Sequence, residues 1–404
     1  MRRSPRNVAH RVLSYNAGRD PERLALKFQA MREQPFTFFR ATAHLFYDCR
    51  DLLDRVVAAP AVWSAGDVHL ENFGCFKGDN RLAYFDLNDF DEAALGPLTW
   101  DLVRLLASTL LGAGNSRMSE ADRVEASRDL LDHYAATLAG GKARWIERAT
   151  AEGPIRRLLR QAKRRTRRAL LADRTRRRGT SRRFRLDPLR TLPATRQEHR
   201  AVQTLLRRMG AREPNPDFYR VLDVVRRVAG MASLGVTRYA VLVAGRGSPN
   251  NNYLLDLKAA VPSTLAAASP HRQPHWTSEA ERVVTVQSWM QAVSPALLAA
   301  TELRRQPVVL RELQPTADRL RVADWRADGL QLAHLRRAVA SVTAWGHLRA
   351  AGRHGADGID TLIAFGREKQ WRARVVRAAI EVSHRTITEW QEFGESYDQG
   401  RLRI

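Results

Sequence analysis

Gly66-Asp67-Val68-His69-Leu70-Glu71-Asn72 and, fourteen residues after Asn72, Asp86-Leu87-Asn88-Asp89-Phe90-Asp91-Glu92 are the two stretches whose reading decides the fold. The first places an Asn five residues after an Asp, the spacing of a kinase catalytic loop, in which the Asp orients a hydroxyl and the Asn holds a metal. The second supplies carboxylates for Mg²⁺, a hard cation that takes one or two carboxylates and completes its shell with substrate oxygens. His69 follows Asp67 as in kinases with an Asp-x-His-x-x-Asn loop. Asp67 and His69 are thus candidate catalytic residues, and Asn72, Asp89 and Asp86 candidate metal ligands. Strand logic favours Asp86, at the end of Leu82-Ala83-Tyr84-Phe85. Spacing to Gly96-Pro97 and Trp100-Asp101-Leu102 favours Asp89, which also opens an Asp-Phe-Asp resembling Asp-Phe-Gly. Asp101 is read as a support of the loop from its helix.

The loop lies only about one-sixth of the way along the 404 residues, whereas kinases encode it after the nucleotide-binding lobe. The nucleotide-binding elements are therefore sought downstream. Gly230-Met231-Ala232-Ser233-Leu234-Gly235 is a degenerate glycine-rich turn opening a strand, Val236 to Val243, whose backbone amides suit phosphates. Gly230, Ser233 and Gly235 are its candidate binding residues. Lys258 ends the apolar run Tyr253 to Leu257, as does the phosphate-binding Lys of a kinase. The next predicted helix, Thr277 to Ala292, should carry its acidic partner, with Glu281 ahead of Glu279 and Gln287 as a neutral alternative. Val308 to Leu313 reads as a strand leading into the interlobe connector, and His347 as a helix-core or bridging residue.

Composition narrows the class. A 44% hydrophobic chain of this length can build a large core, and two cysteines, Cys49 and Cys75, give neither a disulfide framework nor a zinc cluster. No signal-peptide core and no membrane-length apolar run occurs, so the expectation is a soluble, cytoplasmic protein without a membrane partner. The net charge is +24, but residues 141–200 hold 21 Lys and Arg against 5 Asp and Glu, a local +16 that leaves +8 elsewhere. Clustered Arg suits nucleic acid or another polyanion.

Periodicity predicts helices over 21–56 (broken at Pro35), Trp100 to Leu111, Ser119 to Leu138, 142–178, Arg196 to Met209, Leu330 to Ala351 and Arg367 to Phe393, with Ser181 to Leu192 a loop or hairpin. The organisation expected is a catalytic-loop and metal-binding part in 1–140, an Arg-rich helical insertion in 141–220, a small sheet lobe in 221–325 and helices completing the helical lobe in 326–404.

The runs Gly66 to Gly74, Phe85 to Glu92 and Gly96 to Leu105, with Pro35 to Arg40, Gly230 to Gly235, Leu257-Lys258-Ala259-Ala260, and Arg282-Val283-Val284 with Gln287, resemble the bacterial domain-of-unknown-function family 2252. That resemblance, from about residue 20 to about 395, implies a relative of protein-kinase-like and aminoglycoside-phosphotransferase-like enzymes. The fold class expected is α+β, a protein-kinase-like two-lobed fold, circularly permuted so that the catalytic segment precedes the nucleotide-binding sheet. The function expected is an ATP- and Mg²⁺-dependent phosphotransferase acting on an unknown small-molecule or protein hydroxyl, nucleotidyl transfer being a close variant. The alternative is a non-catalytic, kinase-derived module that binds nucleic acid or another polyanion through residues 142–200.

Overall fold

A computed structural model describes residues 7–112, 118–315, 318–321 and 329–402. The boundary expected at residue 325, like the first six residues of the 1–140 segment, lies outside them. The fold is mixed, with many helices and several antiparallel sheets.

The catalytic-loop sequence sits between two strand pairs. Ala61–Ser64 pairs with Ala94–Pro97, so that Ser64, just before Gly66, lies opposite Ala94, just after Glu92. Phe73–Lys77 pairs with Ala83–Leu87, with Phe73 opposite Leu87. Both loops therefore leave neighbouring strand ends at the same place. Gly66 has φ +79°, and a Cβ there would collide with the Glu92 carbonyl, so this close approach requires glycine. The helix Leu98–Gly112 follows, every residue of it buried. That burial holds because Gln370–Asp398 packs along it while Gly329–Ala350 and Ile359–Arg367 pack on the next helix, Glu120–Ala139. The C-terminal helices thus cover the segment that carries the Asp67-to-Asn72 loop.

A six-stranded antiparallel sheet occupies the middle of the chain, in the order Ala299–Leu303, Gln306–Glu312, Tyr253–Ala259, Arg238–Val243, Val221–Arg227, Thr191–Pro193. Period-two alternation gives it two unlike faces. Val241, Val243, Leu255 and Leu257 pack beneath the helix Arg196–Gly210. On the other face Leu242, Leu254 and Val225 meet Leu171 and Phe184 of the Arg-rich segment. Arg238, Asp256, Lys258 and Arg311 continue that face toward the catalytic loop.

Three expectations need correction. Residues 142–178 are not one helical stretch. Gly141 and Gly153 take positive φ, Ile146–Glu147 pairs with the catalytic hairpin, and helices run only over Gly153–Arg164 and Arg167–Arg174 before Thr175–Arg178 turns into a hairpin with Ser181–Phe184. Val221–Arg227 and Ala299–Leu303 are strands that periodicity did not assign: the first carries Asp223, Arg226 and Arg227, and the second is a short Ala-Ala-Thr-Glu-Leu edge strand, so neither shows a clear apolar alternation. The helix expected from Arg367 to Phe393 starts later and runs further, over Gln370–Asp398, and a separate helix that periodicity did not assign, Ile359–Arg367, precedes it.

Candidate functional site

Asp67 is buried, and a single oxygen takes most of its partners. Arg104 Nε donates to Oδ1 at 2.7 Å, and Nη2, which donates to the Phe39 carbonyl, lies 2.5 Å from the same oxygen. Arg104 comes from the apolar helix Leu98–Gly112, is fully buried, and lies over the rings of Phe39 and Phe46 at 4.3 and 5.0 Å. Asp67 Oδ2 is left facing His69 Nε2 at 3.8 Å, longer than a hydrogen bond. The Glu71 N–H donates to His69 Nδ1, which puts the imidazole proton on Nε2. Burial, with Arg40 and Arg104 nearby, pushes the imidazole well below its ordinary range, so His69 is neutral. Burial raises the Asp67 carboxyl against the opposing pull of Arg104.

Asn72 ties the two loops together. Its amide donates to the Asp67 and Asp89 carbonyls, each at 3.0 Å, and its oxygen accepts the Asp89 N–H at 2.8 Å. Asp101 supports the loop from below. Its Oδ1 accepts from Gly66 N at 3.3 Å, and its Oδ2 meets His347 Nε2 at 3.3 Å, whose Nδ1 is 2.7 Å from the Tyr134 hydroxyl. His347 is fully buried and bridges a C-terminal helix to the catalytic loop.

Lys258 enters from the sheet, 169 residues away in sequence from Asp89. Its buried Nζ lies 3.4 Å from Asp89 Oδ1 and closer still to Asp91 Oδ2. Burial alone would raise Asp89, but Lys258, then Arg319, Arg311 and Arg238, outweigh it and hold that carboxyl well below the carboxylate range. Asp91 goes the other way, raised by burial and then by Asp89. Two carboxylates with environments pushed apart around one cation form a compact charged centre.

The loop that carries them is stitched to the sheet. Arg282 Nη2 donates to the Asp91 and Val261 carbonyls at 2.9 and 3.0 Å, and Arg311 Nη1 to the Asn88 carbonyl at 3.2 Å. Above it, Gly230 and Gly235 take φ +82° and +88°, which bends the glycine-rich turn over the centre. Ser233, from that turn, lines one small cavity together with Asp67, Asp89 and Asp91. Its Oγ is buried and has no hydrogen-bond partner. Tyr15 and Arg19 close the cavity from the N-terminal helices, Tyr15 donating to Glu92 at 3.3 Å and Arg19 to the Ala232 carbonyl at 2.8 Å.

Asp67, Asp89 and Ser233 therefore line one cavity, Lys258 meets Asp89 and Asp91 at its wall, and His69 and Asn72 touch it through Asp67 and the loop backbone, with Gly230 and Gly235 bounding the turn. Asp86 does not join them. It is buried behind the hairpin, where its Oδ2 meets Arg349 Nη2 and the Ala292 N–H, each at 3.4 Å. Glu281 does not partner Lys258 either. It caps its own helix, accepting from the Thr277 N–H and hydroxyl at 2.6 Å each. Glu279 pairs with Arg282, and Gln287 donates to Gln291 at 3.1 Å. The partner of Lys258 is instead Asp91, at the position where Asp-Phe-Gly has glycine. Arg104 was equally unassigned, although a lone Arg inside an otherwise apolar helix is a legible signal of a buried ion pair.

Among the described residues no group of three or more His, Cys, Asp or Glu is arranged to hold a metal ion. Asp89 and Asp91 still offer the two-carboxylate set that Mg²⁺ takes when phosphates complete its shell. The partnerless Ser233 hydroxyl marks a place for a further acceptor. Both cysteines are free and buried, and no described helix is long and apolar enough to cross a membrane. No curated protein and no solved structure matches this sequence. The family described as an uncharacterized protein conserved in bacteria (DUF2252) matches residues 19–396, and the chain belongs to that family.

Proposed function

We propose that the protein is an ATP- and Mg²⁺-dependent phosphotransferase of kinase-like, circularly permuted architecture. The observation that carries this is the meeting of Lys258 with Asp89 and Asp91 in a cleft also lined by Asp67 and the glycine-rich turn. The order turn, strand, Lys strand, helix, strand pair, connector in residues 228–315 matches the parts that hold nucleotide in kinases. The catalytic-loop motif that normally follows them precedes them here.

Asp67 Oδ2 would accept the proton of the acceptor hydroxyl, while Arg104 fixes the carboxylate by Oδ1. The neutral His69 holds the loop and adds no charge. Lys258 and the backbone N–H groups of Gly230 to Gly235 would bind the donor's phosphates. Asp89 and Asp91 would hold Mg²⁺, which when bound neutralises charge on the transferred phosphoryl group. Catalysis would be positioning and electrostatics, with little covalent work for the protein.

The test is thermal unfolding with ATP, with and without Mg²⁺, followed by ATP turnover. Saturation at about 100 times Kd should add about 2.7 kcal/mol of stability. Asp67→Asn should keep that stabilisation and lose about 10²–10⁴ of turnover. If ATP neither stabilises the chain nor is turned over, the phosphotransferase reading is wrong.

A second reading has one specific observation in its favour. Arg156, Arg157, Arg160, Lys163 and Arg164 form an exposed cationic face on the helix Gly153–Arg164. Such a face suits nucleic acid or another polyanion, with or without chemistry in the cleft.

A further inference from the structure

A cavity of about 640 Å³ opens between the charged face of the six-stranded sheet and the Arg-rich segment. It is within the size range of small-molecule sites. One side is apolar, built from Leu170 and Phe184 of the Arg-rich segment facing Ala240 and Leu313 of the sheet and its connector. The other side is cationic, with Arg227 and Arg319 reaching it beside Gly230.

The charges there do not balance. Asp173 lines the cavity but is taken by Arg174 and Arg190, and Asp256, behind the cationic side, serves three guanidinium groups, Arg227 at 2.8 Å, Arg238 at 2.5 Å and Arg311 at 3.6 Å. Arg319 adds a fourth cation; no ion pair holds it among the described residues, and the carboxylate whose charge it feels most is Asp89 of the small cavity. Burial pushes both Arg227 and Arg319 below their ordinary range, against the pull of Asp256 on the first and Asp89 on the second, and neighbouring arginines add to the lowering. A guanidinium does not release its proton in a protein, so the surplus remains as repulsion in a poorly solvated place. An anion that bridges these groups relieves it.

The glycine-rich turn joins this cavity to the catalytic cleft. Gly230 lines the large cavity and Ser233, three residues on, lines the small one with Asp67, Asp89 and Asp91. A ligand with a flat apolar end and a chain of phosphates spans both. A bare phosphate leaves the Phe184 and Leu170 side unused, and a nucleic-acid strand does not enter a space walled by the sheet on one side and the Arg-rich segment on the other.

We propose that this cavity is the donor-nucleotide pocket of the site described above, with the base against Leu170, Phe184 and Leu313 and the phosphates passing Arg227 and Arg319 toward Lys258. The proposal rests on the phosphotransferase reading and gives the Arg-rich segment a role in it. Residues 165–190 form the outer wall of the nucleotide site.

The test is calorimetric titration of the full chain with ATP, adenosine, inorganic tripolyphosphate and a single-stranded oligonucleotide. Arg319→Gln removes the unpaired cation, and Leu170→Trp fills the apolar end. Arg319→Gln should weaken ATP and tripolyphosphate at least tenfold. Leu170→Trp should weaken ATP and adenosine at least tenfold and leave tripolyphosphate unchanged, which also shows that the variant is folded. If Mg²⁺-dependent ATP binding is lost in Asp89→Asn yet indifferent to both cavity variants, the pocket assignment is overturned and the phosphotransferase reading stands. If the cavity variants weaken ATP but no phosphoryl transfer or ATP turnover occurs, the pocket stands and that reading falls. Oligonucleotide binding without ATP binding overturns both.

Discussion

At Asp67 a single buried ion pair governs the charge of the carboxyl, and with it the pH range of the base proposed above. Burial raises the carboxyl and Arg104 lowers it, with burial prevailing. A general base works only when ionised, so the acid limb of kcat/KM should lie above the ordinary Asp value of about 3.9. In Arg104→Gln the opposing charge is gone, and the limb should move to still higher pH. In Arg104→Lys, which keeps the charge, it should stay near the wild-type position. A limb unmoved in Arg104→Gln would show that another group carries it. Removing one partner of this fully buried pair should also cost about 3–5 kcal/mol in the glutamine variant, read from denaturant unfolding.

At the scale of the element, the sheet face owes its charged half to Asp256. Three guanidinium groups converge on it, and although burial alone would raise its carboxyl, Arg227, Arg238 and Arg311 hold it well below the ordinary value. A depressed carboxyl contributes stability that is full above the unfolded value of about 4 and is lost as pH falls through the folded one. Asp256→Ala should therefore destabilise the protein by about 3–5 kcal/mol at neutral pH, with the difference from wild type shrinking in acid. Equal destabilisation at all pH values would mean that packing, not charge, is what the sheet loses. On the helix Gly153–Arg164, replacing Arg156, Arg157, Arg160 and Lys163 by Gln should leave stability within about 0.5 kcal/mol, since these side chains are exposed. If that face binds polyanions, the slope of log K against log salt should fall by several units.

For the whole molecule, the first and last described segments meet. The Val8 N–H donates to Glu392 Oε1 at 2.9 Å, Arg32 grips Asp398 with two nitrogens, and Leu402 packs in one cluster with Val8 and Val12. Joining residue 402 to residue 7 by a short Gly/Ser linker and opening the exposed loop at residues 142–144 should give a permutant that folds to the same structure. Its midpoint in denaturant should match wild type within about 1 kcal/mol, because the opened backbone carries little packing. A permutant that does not fold would show that the order in which the helical part and the sheet are synthesised matters to folding.

The Asp67-to-Asn72 spacing, the Asp-Phe-Asp run, the glycine turn and the Lys at a strand end were all legible because each is a local pattern whose chemistry requires those residue types at those intervals. Sequence also determined that a small strand-rich part lies between helical segments, since apolar runs bounded by glycine and turn residues persist whatever they pack against; the antiparallel pairing came from the structure. It could not choose between Asp86 and Asp89. They lie three residues apart, Asp86 in the strand Ala83–Leu87 and Asp89 on the loop after it, and which of them faces Lys258 depends on a contact across 169 residues. Nor could it find Asp91 as the partner of that lysine or place the Arg-rich segment against the sheet, because a charge run reads the same on a solvated helix as beside a cavity. Those decisions belong to the tertiary structure. A buried charge is stable only where the fold brings its counter-charge, and that is settled by packing between distant segments.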